Sequence, residues 1–156
     1  MATRIPLKLP GLVLAAGATL LVAGCSGSVQ VAPEGSVDFS APGVEGSVSD
    51  SATLPDEWPA DVPVPEGLTV QTSTQFATEA GKSLSAGFEG PGDAKAVTQQ
   101  LGSAFESAGF KQTSSFGSSE VGAVVLWTKG DIKVSVTVSG DSGKVTVSET
   151  VVIAKT

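Results

Sequence analysis

The sequence predicts an α+β domain in which one helix packs on an antiparallel sheet. Three patterns support this class: a single stretch with helical apolar spacing, several segments that alternate apolar and polar residues, and short Gly- and Asp-rich separators between the later segments. A sheet with one apolar face needs a partner layer, and the helix can provide it. The expected order of elements is β-β-α-β-β-β-β.

The first two strands are predicted at residues 68–76 and 83–89. The first segment is rich in Val and Thr, and the second alternates Leu84, Ala86 and Phe88 with polar or small neighbours. Residues 79–82 form the expected turn between them. The Gly-Pro-Gly run at 90–92 is expected to end the second strand.

The helix is predicted over residues 94–108. Asp93 is a suitable N-cap, because its carboxylate can accept a hydrogen bond from a free backbone N–H of the first turn. Gly109 stands where a C-terminal glycine belongs, and Phe110 follows as its apolar partner. One face collects the apolar side chains Val97, Leu101, Ala104, Phe105 and Ala108.

Four further strands are predicted at residues 110–116, 121–128, 132–139 and 144–153. In the third of these, Ile132 and Val134 begin a strict alternation with polar residues, which indicates one buried and one wet face. The separators are short, so the four strands are expected to form hairpins in an antiparallel meander.

The N-terminus has the layout of an export signal. Arg4 and Lys8 precede an apolar run over residues 11–21, which is shorter than the ~20 residues that a membrane-spanning helix needs. The run ends in Val22, Ala23, Gly24 and Cys25.

These four residues resemble the lipobox of bacterial lipoproteins. The resemblance implies a signal peptide over residues 1–24, recognition of Val22, Ala23 and Gly24 by a dedicated peptidase, and cleavage before Cys25. It further implies diacylglycerol on the Cys25 thiol and a location on the extracytoplasmic face of the cell membrane. The alternative is that Cys25 is a buried thiol in an ordinary segment.

Residues 25–52 are predicted to be a flexible tether, and residues 53–156 the globular domain. The segment after Cys25 is rich in Gly, Ser, Pro and Val, has no helical period and contains one aromatic residue, Phe39. Such a composition is expected to bury too little apolar surface to offset its chain entropy.

Residues 54–67 form a proline-rich segment, with prolines at 55, 59, 63 and 65. Proline excludes helix and favours extended chain, so the segment is expected to wrap the domain and cover one edge of its core. The alternative is an exposed ligand for a proline-binding partner. The Trp-Pro-x-Asp-Val-Pro-x-Pro-x-Gly run at 58–67, with Ala108 to Phe110, resembles small single-domain lipoproteins of actinobacteria. That resemblance implies an architecture and no activity.

Composition restricts the chemistry that the chain can support. It contains no histidine, which removes the commonest general base and zinc ligand, and its single cysteine cannot form an internal disulfide. The formal net charge is −7, and the only arginine, Arg4, lies in the predicted signal peptide. A mature chain without arginine and with excess acid is a poor ligand for nucleic acid.

Two glycine motifs have ordinary explanations. The Gly81-Lys82-Ser83 run lacks the earlier glycine of a phosphate-binding loop and precedes a strand pattern, so it is interpreted as a turn. The Gly-Asp-Ser-Gly run at 140–143 is similar to a serine-protease loop, but without histidine a triad cannot form. A hairpin turn explains it.

Carboxylates cluster in the proline-rich segment at Asp56, Glu57, Asp61 and Glu66. A calcium site or a glycosidase pair is the alternative to a solvated acidic edge, but the spacing matches no calcium loop. Trp127 is predicted to belong to the core, with an exposed ligand platform as the alternative.

The leading functional hypothesis is a non-catalytic cell-envelope module that binds a protein, a glycan or a small molecule on the polar face of the sheet, near Lys133 and Thr137. The alternative is an inhibitor or regulator of a secreted hydrolase or a membrane complex that acts through a loop. No catalytic residues, no metal ligands and no cofactor are predicted. The expected membrane contact is the lipid on Cys25.

Overall fold

The computed structural model describes residues 27–32, 35–49, 53–118 and 122–155. They form one nine-stranded antiparallel sheet and one α-helix. The elements are β1 (Ser28–Val31), β2 (Val37–Ala41), β3 (Val44–Ser49), β4 (Thr69–Thr78), β5 (Gly81–Pro91), α1 (Ala94–Ser107), β6 (Lys111–Ser118), β7 (Gly122–Lys129), β8 (Ile132–Asp141) and β9 (Lys144–Ala154).

The strands lie side by side in the order β1-β2-β3-β4-β5-β9-β8-β7-β6. Five strands therefore run as successive neighbours, and the chain then leaves the sheet through α1. It returns at the far edge as β6, and the last four strands lead back to pair β9 with β5. Because of this connection, α1 crosses one face of the sheet and contacts β6, β7 and β8.

The predicted helix and both of its caps are confirmed. The Ala96 N–H donates to Asp93 Oδ1 over 2.9 Å at the N-terminus. At the C-terminus, Gly109 has φ +84°, and its N–H donates to the Glu106 carbonyl while the Phe110 N–H donates to the Phe105 carbonyl. This pair of bonds is the Schellman motif, which satisfies carbonyls that the helix leaves free.

The core lies between α1 and the face of the sheet that it covers. Phe105 is completely buried; its ring stacks on Trp127 and meets Phe110 edge-on, each at 5.2 Å between centroids. Aromatic pairs favour both geometries. Trp127 is therefore a core residue, as predicted, and its burial excludes an exposed ligand platform.

The proline-rich segment covers the same face beside the helix. Val62 is buried in the core cluster, and Leu54 and Trp58 pack against it. Two ion pairs hold the segment to the sheet: Glu57 with Lys82 of β5 over 2.5 Å, and Asp61 with Lys129 of β7 over 2.7 Å. The predicted wrap is confirmed in position.

The α+β class holds, but the predicted order of elements is wrong. Three strands precede those that were expected, so α1 follows the fifth strand instead of the second. The prediction of an irregular tether fails for Ser28–Val31, Val37–Ala41 and Val44–Ser49. The physical reason is pairing: the free edge of β4 offers backbone donors and acceptors, and β3 satisfies them between Ser73 and Thr78.

The predicted boundaries at residues 24–25 and 50–52, and the predicted strand start at Val121, lie outside the described residues. The remaining strands are confirmed within a few residues, and the turn expected at residues 79–82 contains only Glu79 and Ala80 between paired strands. The β7–β8 and β8–β9 hairpins also leave two residues between the paired strands, as the glycine-rich separators predicted.

Candidate functional site

The predicted lipid-attachment site lies outside the described residues, as do Val22, Ala23 and Gly24. In the sequence, Cys25 stands three positions before Ser28, where β1 begins. The part of the sheet that follows Cys25 most closely is β1, β2, β3 and Ser73–Thr78 of β4, which we call the wing. Helix α1 makes its sheet contacts at the opposite end, with β6, β7 and β8.

Strand register assigns each wing residue to a face. Side chains of directly paired residues point to the same side of a sheet. Gln75 pairs with Leu84, which is buried beneath the core layer, so Gln75 lies on the inner face, the side that α1 covers elsewhere. Its neighbour Phe76 lies on the outer face.

The inner face of the wing is a groove of about 360 Å³ to which mostly polar residues contribute. Its side chains come from four adjacent strands and carry two carboxylates, on Asp38 and Glu45. Asp38 pairs with Ser47, and Glu45 with Ser40, so the two acids are diagonal neighbours on β2 and β3. The groove is lined by Ser28, Gln30, Asp38, Phe39, Ser40, Glu45, Gly46, Ser47, Gln75 and Ala77.

A hydrogen-bonded group closes the groove on the core side. The Gln75 side-chain amide donates to Glu57 Oε2 over 3.1 Å, and the Lys82 ammonium binds Glu57 Oε1. Lys82 is thereby engaged with a carboxylate of the proline-rich segment. The acids Asp38 and Glu45 have no cation among the residues that line the groove, so a ligand there meets excess negative charge.

The outer face of the wing is apolar. The Phe39 ring lies over Gly46, where an added Cβ would overlap it, and beside the Phe76 ring at 5.5 Å between centroids. Val31 is 68% exposed and Val48 is 40% exposed. The apolar members of this face are Val29, Val31, Val37, Phe39, Val44, Val48 and Phe76.

Nearer the middle of the sheet, the outer face carries mainly the hydroxyl groups of Ser and Thr. Ser85 of β5 and Thr150 of β9 share a hydrogen bond of 3.1 Å between their side-chain oxygens. Lys133 and Thr137 of β8 are exposed on this face, as predicted. Their strands present rows of small polar side chains, and a depression of about 200 Å³, smaller than the groove, lies where β8 ends and β9 begins.

Glu149 is an acid that sequence reasoning missed. It lies on β9 between Ala86 and Val136 in the covered face, is fully buried, and neither carboxylate oxygen has a hydrogen-bond partner among the described residues. Burial raises the pKa of Glu149 to about 8. The alternation Val145, Val147, Glu149 could have identified it, because it places the acid in phase with buried valines.

The other predicted candidates have structural roles. Glu57 and Asp61 form ion pairs, and the hydrogen bond from Lys129 lowers the pKa of Asp61 below its ordinary value. Gly81 opens a strand, and residues 141–144 form a hairpin turn with positive φ at Ser142 and Gly143. Among the residues that the structure describes, no three acids, cysteines or histidines are grouped as a metal site would require.

The chain matches no family model, no curated protein and no solved structure. Within the described ranges, no helix is long and apolar enough to cross a membrane.

Proposed function

We propose that this chain is a lipid-anchored extracytoplasmic lipoprotein and a non-catalytic binding module of the cell envelope, whose ligand occupies the groove on the inner face of the wing. The observation that carries the binding proposal is the groove itself, a concave surface with convergent polar side chains and two acids. Specific ligand sites in proteins combine concavity with a few placed polar groups. The anchoring part rests on the lipobox resemblance that ends at Cys25.

The charge of the groove favours a ligand that carries ammonium or guanidinium groups. Asp38 and Glu45 can each accept hydrogen bonds from such groups, and the hydroxyls of Ser40 and Ser47 lie beside them in the cross-strand pairs. Gln30 adds an amide at the rim. The ligand class that fits is a basic, extended segment of another envelope protein.

A titration with a short lysine-rich peptide tests the groove. We expect weak binding that falls with added salt, because the carboxylates are close to solvent and screened. The double variant Asp38→Asn, Glu45→Gln should lose at least tenfold in affinity. The matched control is Glu66→Gln, Glu106→Gln, which removes the same charge at exposed positions outside the groove and should change affinity less than twofold.

Equal losses in the two double variants would show that overall acidity, not the groove, attracts the peptide, and the binding site would have to be placed elsewhere. The anchor is tested separately with Cys25→Ala. Only a thiol accepts the diacylglyceryl group, so the variant should move from the detergent phase to the aqueous phase on partitioning. An unchanged distribution would remove the lipoprotein assignment.

A further inference from the structure

We propose that the apolar outer face of the wing lies against the lipid bilayer that holds Cys25, so that the domain contacts the membrane through protein as well as through its anchor. This inference rests on the proposed lipid anchor and goes beyond it. The anchor fixes only the N-terminus of the mature chain. The wing then fixes which surface of the domain faces the lipid.

The wing has one face suited to lipid and one suited to water. The apolar side chains of the outer face come from four adjacent strands, and no charged residue of the described wing lies on that face. The carboxylates Asp38 and Glu45 both belong to the inner face. Contiguous exposed apolar surface of this kind marks a contact site.

Distance places the bilayer beside this face. Two residues lie between Cys25 and Ser28, so the three Cα–Cα steps of that chain reach at most about 10 Å. Strands are spaced about 4.8 Å apart, so β4 lies only about 15 Å beyond β1 in the plane of the sheet. An acylated Cys25 therefore keeps the wing within reach of the headgroups.

Sheet twist restricts the contact to the wing. Neighbouring strands rotate by about 20–25° relative to one another, and that rotation accumulates over the nine strands of this sheet. When the outer face of the wing meets a membrane plane, the outer face of β6 with Phe116, five strands beyond β4, is turned away from that plane. The contact therefore involves the apolar end of the outer face and leaves the hydroxyl-rich centre wet.

The bilayer is favoured over a second copy or another protein because the anchor supplies it at high local concentration. A surface tied within ~10 Å of the lipid meets it continuously, without the association cost of a separate partner. The two described carboxylates of the wing, on Asp38 and Glu45, point away from the headgroups, which reduces the repulsion between this acidic chain and an anionic lipid surface. In this orientation the groove opens toward the aqueous space, where a ligand can reach it.

The experiment uses the acylated protein reconstituted into phosphatidylcholine–phosphatidylglycerol vesicles. The chain has one cysteine, whose sulfur is occupied by the lipid, so one added cysteine is the only thiol that a fluorophore can label. Val31→Cys and Val48→Cys report the outer face. The neighbouring Gln30→Cys and Ser47→Cys report the inner face of the same two strands and are the matched controls.

We expect the labels at 31 and 48 to shift toward the blue and to lose at least half of their emission when nitroxide-bearing lipids are included. The labels at 30 and 47 should keep aqueous spectra and lose less than a fifth. Thermal unfolding of each labelled protein, compared with the unlabelled chain, ensures that only folded samples are scored.

Each contrary result has a distinct meaning. Four equally aqueous labels on vesicle-bound protein would overturn the docking while leaving the anchor intact. Blue-shifted labels at 31 and 48 that nitroxide lipids do not quench, with a shift that grows with protein-to-lipid ratio, would assign the face to a second copy and also overturn it. A protein that does not float with the vesicles would refute the anchor, and the docking with it.

Discussion

The wing and the α1-covered half of the sheet are built from the same kind of strand but are stabilised differently. In the covered half, side chains of β5, β7, β8 and β9 are buried under α1 and the proline-rich segment. In the wing, α1 covers neither face, and Val29 and Val31 are among the most exposed apolar residues described. No wing residue belongs to the core cluster.

The covered half therefore provides the stability of the fold, and the wing provides the surfaces that contact other molecules. The covered half contains the buried apolar side chains that make a domain of this size stable without disulfides. The wing gains backbone hydrogen bonds from β4 but leaves an acidic groove on one side and an apolar surface on the other. Mutations in the covered half should therefore act on folding, and mutations in the wing on binding.

The largest effect is expected from Phe105→Ala. Phe105 is completely buried and contacts both Phe110 and Trp127, so its truncation leaves a cavity between helix and sheet. Such truncations cost about 3–5 kcal/mol of unfolding free energy. Denaturant melts should detect this loss of unfolding free energy. Gln99→Ala, on the exposed side of α1, should change the unfolding free energy by less than about 0.5 kcal/mol. Equal effects of the two substitutions would show that α1 does not pack on the sheet.

The next largest effect concerns pH and Glu149. The pKa of Glu149 is about 8 in the folded chain against an ordinary value of 4.5, so the folded state keeps a proton that the unfolded state releases. Its contribution to stability is full below pH 4.5 and is lost as pH rises toward 8. Linkage gives a loss of roughly 3 kcal/mol between pH 4.5 and pH 7.

Glu149→Gln provides the matched control because an amide does not ionise. Denaturant melts from pH 4.5 to 8 should show a steep decline in unfolding free energy for the natural chain and a flatter profile for the variant. The pKa of Asp61 is lowered from 3.8, so its contribution to stability is lost only as the pH falls below about 3.8, outside this range. Parallel profiles would mean that Glu149 finds a partner or water in solution.

A smaller effect is expected when the wing is removed. A chain that begins at Thr53 keeps every residue of the core cluster, so it should remain folded, with unfolding free energy within about 1 kcal/mol of the longer chain. It should also lose binding of the lysine-rich peptide. Thermal melts and the same titration check this. A chain that fails to fold would show that the wing contributes to the core.

Sequence patterns were most informative where one face is buried. The helix, its Asp93 cap and its Gly109 terminus follow directly from local chemistry, and the alternation from Ile132 onward identifies a strand with one covered face. Both signals arise because packing against a second layer requires a regular spacing of apolar residues.

The wing escaped prediction because nothing covers it. Its strands alternate apolar and polar residues, as in Val29 and Val31, but they are short and lie among Gly, Ser and Pro, a composition typical of flexible chain. What orders them is a long-range partner, the edge of β4, and the local sequence carries no mark of it. The groove could not be foreseen for the same reason, since its acids meet only through that pairing.

Attachment of this module to the membrane through Cys25 is tested most directly by the intact mass of the protein extracted from membranes of the producing cell. We expect a chain that begins at Cys25 and carries the mass of a diacylglyceryl group, with peptide fragmentation placing that mass on the first residue. A chain that retains Met1, or one that begins elsewhere with an unmodified Cys25, would contradict it.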